Sequence, residues 1–223
     1  MTRAARTIDI NADLGEGFGA WRMGDDEAML DVVTSANVAC GFHAGDPDIM
    51  ARTFTRAARK KVAIGAHVAF PDLAGFGRRP VAMSASEIEH AVAYQIGAAQ
   101  ALAACAGHRI THVKAHGALA NSAERDADVA RAIARAARAV DSSLTLLAIA
   151  CSQQGPAGDR EGLKVVHEIF ADRAYVDDGR LQPRSEPGAV ITDASTAVAR
   201  VRQMLEEGAL VTNSGKRLRT SID

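Results

Sequence analysis

The sequence predicts an α/β fold in which parallel strands roll into a β/α barrel, and three observations carry that expectation. Four short segments end in the same kind of polar cluster: Ile8-Asp9-Ile10-Asn11-Ala12-Asp13, Val38-Ala39-Cys40-Gly41-Phe42-His43, Val62-Ala63-Ile64-Gly65-Ala66-His67 and His112-Val113-Lys114-Ala115-His116. Each is followed by a Gly- or Pro-containing turn and a helix-like stretch, so the strands run parallel and their C-terminal ends meet on one rim. Within the segments side chains alternate with period two. Ile8 and Ile10 oppose Asp9, Asn11 and Asp13, and Val113 and Ala115 oppose His112, Lys114 and His116. A sheet covered by helices on both sides would be apolar on both faces. A barrel keeps helices outside and a polar mouth inside.

The remaining elements follow along the chain. Helix-like stretches cover residues 26–33, 47–60, 84–106, 125–140 and 193–207. Asp46-Pro47 reads as an N-cap followed by Pro at the first helical position. Ser84-Ala85-Ser86-Glu87 reads as a capping box, with Ile88, Val92, Ile96 and Ala99 then falling at helical spacing. Further strands are expected at residues 144–149, 164–170 and 189–191. A polar hairpin is expected around Asn213-Ser214-Gly215-Lys216, and Ile222 reads as the first step of a strand. No linker or internal repeat divides the chain, so residues 1–223 are read as one barrel domain.

Composition narrows the function. A chain of 223 residues can bury roughly 70–75% of its unfolded surface. Its 26 basic and 27 acidic residues argue against nucleic acid as a partner. The chain has no apolar run of about 18 residues, and residues 1–6 lead directly towards a strand, so neither a membrane span nor a signal peptide is expected. Cys40, Cys105 and Cys151 are odd in number and widely spaced, as reduced core residues of a cytoplasmic protein would be.

A lone His at a strand end is more often a hydrogen-bonded structural residue than a ligand. His43, His67 and His116 with Asp13, on strands of common direction, point instead to one site. His90, His108 and His112 read as surface or packing residues, and either His167 or Glu168 can face inward. Gly15-Glu16-Gly17-Phe18-Gly19 lacks the spacing of a nucleotide fingerprint, but it lets backbone approach a ligand beside Asp13 and Glu16. Arg78-Arg79 is either a solvated pair or a clamp for a carboxylate or phosphate. One carboxylate with two or three imidazoles suits a divalent metal that activates water, with Asp13, His67 and His116 as the ligands considered. The same groups without metal can act as general base and electrostatic stabiliser at an amide carbonyl. Lys114, on the face of His116, could hold developing negative charge.

Longer blocks carry a family resemblance. Asn11-Ala12-Asp13-Leu14-Gly15-Glu16, the stretch from Ser35 through Asn37 and His43 to Asp46, Pro71-Asp72-Leu73-Ala74-Gly75-Phe76-Gly77-Arg78-Arg79, Val113 to Leu119, and Phe170 to Tyr175 with Pro183 to Ile191 resemble the successive signatures of the LamB/YcsF family. The resemblance implies an irregular seven-stranded parallel β/α barrel akin to the glycoside hydrolase/deacetylase superfamily. It also implies the role of the A subunit in an ATP-dependent 5-oxoprolinase, which cleaves 5-oxo-L-proline to L-glutamate with subunits B and C. On that reading ATP is the cofactor, and Asp13, Glu16, His43, Asp46, Lys114 and His116 are the catalytic candidates. Asn37, His67, Arg78, Arg79 and Arg184 are the substrate-binding candidates.

The sequence departs from the family where Ala115 stands for the usual Pro and Ala120-Asn121 for Tyr-Asn. Relatives also continue beyond the position of Asp223 into a final strand and helix, so an open edge beside the first or last strand is expected. Two further functions stay open at this point, a stand-alone metal-dependent amidase or deacetylase and a non-catalytic partner subunit. Self-association is left open as well.

Overall fold

The computed structural model describes residues 7–222, so the expectation for residues 1–6 lies outside the described part. Six strands form one parallel sheet in chain order: β1 (Asn11–Leu14), β2 (Ser35–Ala39), β3 (Ala63–Val68), β4 (Ile110–Ala115), β5 (Thr145–Ile149) and β6 (Lys164–Glu168). Between and after them lie α1 (Asp26–Met29), α2 (Pro47–Lys60), α3 (Ala85–Cys105), α4 (Gly117–Arg125), α5 (Ala127–Val140), α6 (Gln154–Arg160) and α7 (Ala194–Glu207). The hairpin expected near the C-terminus is present as antiparallel β7 (Ala209–Val211) and β8 (Arg217–Arg219).

The helix boundaries follow from local chemistry. The Asp46 carboxylate accepts from Ile49 N, Pro47 occupies the first turn, and Lys61 closes α2 in the left-handed conformation. Both halves of the Ser84/Glu87 capping box form at the start of α3. The helix expected over residues 125–140 is present as α5, starting two residues later, and the short α4 precedes it. Asp126 takes extended backbone and accepts from the amides of Asp128 and Val129, ending α4 and starting α5.

The outward face of the strands meets the helices. Val38, Ile64, Ala66, Val113 and Leu146 pack with Phe54, Val92, Ile96 and Ile133 in one buried cluster. Fully burying a side chain of that size contributes roughly 1.5–3 kcal/mol. The inward face is polar, and the sheet curls around it. Neighbouring strands lie about 4.8 Å apart, so β1 and β4 would stand far apart in a flat sheet. Instead Lys114 of β4 reaches Asp13 of β1 at 3.1 Å and Glu168 of β6 at 2.6 Å.

Several expectations are corrected. The described residues form a six-stranded parallel half-barrel, the α/β architecture expected, with one strand fewer than the family's seven. Residues 189–191 make only an antiparallel bridge between Val190 and Arg173, because Pro187-Gly188 and the α7 N-cap Asp193 leave too few residues for a strand. The second strand ends at Ala39, and the tight turn in which Gly41 N donates to Ala44 O (2.7 Å) carries His43. Cys40 is buried, whereas Cys105 and Cys151 are exposed. As expected, β1 and β6 are sheet edges not paired to each other. A cavity of about 480 Å³ lies between them, lined by Ile10, Phe170, Val201 and Leu205 among others. No helix of the described residues is long and apolar enough to cross a membrane.

Candidate functional site

Asp13, His43, His67 and His116 converge at the C-terminal rim of the sheet together with Glu16. His67 is the fifth residue of β3, and Asp13 is the third of β1. His116 follows β4 as the N-cap residue of α4 and lends that helix no side-chain cap. The turn after β3 closes over them. Gly77 adopts φ +63, and a Cβ there would lie 2.8 Å from His43 Cβ and 2.9 Å from His116 Cδ2. The preceding Phe76 also has positive φ (54°), a strained conformation for a bulky residue. That strain aims the Phe76 carbonyl at His116 Nε2 (2.9 Å) and sets the ring edge-on against His43 and His116.

Two polar clusters share this space. The first is built on Lys114, whose ammonium donates to Glu168, Asp13 and Asn11. Asn37, fully buried, donates to Asn11 and Asp13 and accepts from His112 Nε2 (3.0 Å). His112 Nδ1 lies 3.0 Å from the Thr111 hydroxyl. The ring is seated by Gly65, where a Cβ would lie 2.2 Å from His112 Cδ2. Burial opposes the charges here, but His67 and Lys114 hold the Asp13 carboxyl well below its usual range. Burial likewise acts to lower the Lys114 ammonium, and Asp13 and Glu168 outweigh it and raise it.

The second cluster is Glu16, His43, His67 and His116, which bring one donor atom each to within 4.8 Å of one another. His43 Nε2 lies 3.1 Å from Glu16 Oε1, and the His43 ring stacks on His116 at 3.8 Å between centroids. His116 Nδ1 faces His67 Nε2 at 3.0 Å, and His67 Nδ1 faces the Lys114 carbonyl at 3.3 Å. Burial, reinforced by His67, pushes His43 down to about 2 and His116 down to about 3. Both are therefore neutral imidazoles at ordinary pH. Burial raises the Glu16 carboxyl, placing it nearer the range of a working acid or base.

A cleft of about 400 Å³ opens from this rim, lined by Asp13, His67, Lys114 and His116 together with Arg78, Arg173 and Arg184, and Arg78 is close enough to act electrostatically on Glu16 and His43. Arg173 is buried, and its guanidinium is fixed by the carbonyls of Gln182 and Ala189. Burial first, then Arg184, lowers its basicity. Neither Arg78 nor Arg184 meets a carboxylate among the described residues. Arg78 lies over the Phe76 ring at 5.4 Å.

The sequence candidates therefore fall into three groups. Asp13, Glu16, His43, His67, Lys114 and His116 stand together, and Arg78 and Arg184 share their cleft. Asn37 is enclosed beneath them and positions Asp13. Asp46 and Arg79 stand apart, Asp46 as the α2 cap that also accepts from Gly19 N (2.7 Å), and Arg79 bound to Asp72 with most of its side chain in solvent. Glu168, His112 and Arg173 belong to the site region but were not singled out from sequence. The alternation of β6 carried the signal for Glu168, and the phase of β4 carried it for His112.

Comparison with known proteins places this architecture. The LamB/YcsF family model matches residues 8–223. The chain belongs to the LamB/YcsF family. A Gluconobacter oxydans protein named as the A subunit of 5-oxoprolinase is 58% identical over 219 residues, covering 98% of this chain and 86% of that relative. One of the same name from Rhodopseudomonas palustris (strain BisB5) is 57% identical over 217 residues, 97% of this chain and 85% of its own. The crystal structure of a lactam utilization protein from Thermus thermophilus superposes with a TM-score of 0.92 at 43% identity, covering 98% of this chain and 88% of that one.

Proposed function

We propose that this LamB/YcsF chain is the A subunit of an ATP-dependent 5-oxoprolinase, opening 5-oxo-L-proline to L-glutamate together with B and C subunits. The observation that supports it best is near-full-length similarity to relatives named as 5-oxoprolinase A subunits. The cleft agrees in chemistry. A small cyclic amide bearing a carboxylate suits a pocket lined both by guanidinium groups and by a carboxylate–imidazole cluster.

A five-membered lactam is a poor electrophile, which gives ATP a purpose. Transfer of the γ-phosphoryl group to the amide oxygen releases ADP and leaves an activated imidate. Water then adds to its carbon, the ring C–N bond breaks as nitrogen takes a proton, and a second water releases phosphate from the acyl phosphate. Glu16, with its raised carboxyl, is the base for the attacking water. Neutral His116 and His43 orient it. Lys114 acts by fixing Asp13 as a carboxylate, since its own charge already faces Asp13 and Glu168.

Reconstitution with B and C subunits tests the reading: 5-oxoproline should stimulate ATP hydrolysis and glutamate should appear with it. Turnover of amides by the chain alone, independent of ATP and lost on chelation, would replace it with the stand-alone amidase that the three-histidine cluster also suits.

A further inference from the structure

We infer that Glu16, His67 and His116 form a divalent-metal site, with His43 as the residue that orients Glu16. The argument begins with donors and acceptors. A backbone carbonyl can only accept, so His116 Nε2 must carry the proton that it gives to Phe76 O at 2.9 Å. By the same reasoning His67 Nδ1 carries the proton directed at Lys114 O at 3.3 Å. For neutral rings this leaves His116 Nδ1 and His67 Nε2 as lone pairs, and they face each other at 3.0 Å. Two lone pairs at that distance repel unless a proton or a metal cation lies between them. Glu16 Oε1 completes the triangle at 3.6 Å from His116 Nδ1 and 3.9 Å from His67 Nε2.

The spacing matches a metal's requirements. Bonds of about 2.0–2.2 Å in a tetrahedral site put donor atoms about 3.3–3.6 Å apart, and the three observed separations of 3.0, 3.6 and 3.9 Å bracket that range. Each donor residue also has an outer contact of the kind that fixes ligands. His116 is held by Phe76 O, His67 by Lys114 O, and Glu16 by His43 Nε2 at 3.1 Å. Two histidines and one glutamate leave a fourth position open, as catalytic sites do, and His67 and His116 line the cleft through which a substrate would reach it. Asp13 is the less suited carboxylate, because its Oδ1 already accepts from Lys114 and Asn37 and its Oδ2 reaches His67 but, unlike Glu16, does not pair with His116. A bound metal would supply the activation of water assigned above to Glu16 as a base, with Glu16 then serving that step as a ligand.

The competing arrangement places a proton on His67 Nε2, shared between His116 Nδ1 at 3.0 Å and Asp13 Oδ2 at 3.2 Å, and the experiment separates the two. The full chain, stripped with a chelator and checked for its fold by circular dichroism, is titrated with Zn²⁺ by calorimetry and with Co²⁺ by visible absorption, without substrate or ATP. One metal per chain and the intense visible bands of tetrahedral Co²⁺ are expected. Glu16→Gln and His116→Ala should weaken binding at least about 100-fold, while Asp13→Asn keeps it within about tenfold. Folded wild-type protein that binds no metal would overturn the inference, and that result alone would leave the 5-oxoprolinase reading standing. Loss of binding in Asp13→Asn but not in Glu16→Gln would overturn the ligand set.

Discussion

The two polar clusters inside the half-barrel differ in whether their groups are satisfied. Around Lys114 the donors meet acceptors, and one acceptor atom, Glu168 Oε2, is left over: the ammonium meets Asn11, Asp13 and Glu168, the Asn37 amide meets Asn11 and Asp13, and His112 meets Asn37. Around Glu16 the reverse holds. Three histidines crowd one carboxylate, two ring nitrogens face each other, and His43 Nδ1 is buried without a partner. The difference separates a scaffold from a working site. A satisfied buried network holds its geometry, whereas groups kept apart from their preferred partners remain available to a substrate or ion.

The largest expected effects come from exchanging one key residue in each cluster. Glu16→Gln removes the base for water and should cut reconstituted 5-oxoproline turnover by about 10²–10⁴-fold, with little change in the urea midpoint. Lys114→Met does the opposite kind of damage. It strands Glu168 as a buried carboxylate without its cation and leaves Asp13 only Asn37 and His67, and breaking a buried pair from one side costs about 3–5 kcal/mol, read as a lowered urea midpoint. Adding Glu168→Gln should recover part of that loss. If Lys114→Met left the midpoint unchanged, the network around it would not be structural.

Much of this contrast was legible in the sequence. The strand phase put Asp13, Lys114 and His116 on one inward face, and the common strand direction brought Asp13, His43, His67 and His116 to one rim. What sequence could not show was who pairs with whom. Lys114 is invisible as an ion-pair hub until β1 and β6 curl to meet it, so it read as a free cation. Asp46 and Arg79 sit in motifs as conspicuous as that of His67, yet a helix amide and Asp72 claim them. Arg173 reads as an ordinary loop residue, because the chain reversal that buries it against Gln182 and Ala189 has no local signature. The seventh strand failed for a related reason, since three β-prone residues next to a helix cap bridge without laddering.

An intermediate effect should appear in the pH dependence of the satisfied cluster. Burial, with further contributions from Lys114 and His67 against the opposing pull of Asp9, lowers His112 to about 4, while the unfolded chain titrates near 6.5. Between those values the unfolded state binds more protons, so stability rises with pH there. The contribution is full above about pH 6.5 and is lost as pH falls towards 4, amounting to about 3 kcal/mol. Urea midpoints across that window should slope for the wild type, and His112→Gln, which keeps a donor for Asn37, should flatten part of the slope. An unchanged slope would place the titrating group elsewhere.

The smallest effect tests whether the boundary of the site has been drawn correctly among the arginines. Arg173 is buried and held by two carbonyls, and Arg78 and Arg184 share its cleft, neither of them in an ion pair among the described residues. Arg79, one residue beyond Arg78, is turned outward onto Asp72, with 66% of its side chain exposed. An exposed pair of this kind adds little to stability, and it touches nothing in the cleft. Arg79→Ala should therefore leave both KM for 5-oxoproline and the urea midpoint unchanged. Arg184→Ala should raise KM by about tenfold or more, as removal of a charged hydrogen-bond partner does. Equal effects from the two substitutions would mean that the cleft closes around Arg79 during turnover, and the anion-binding end would then extend across both members of the Arg78-Arg79 pair.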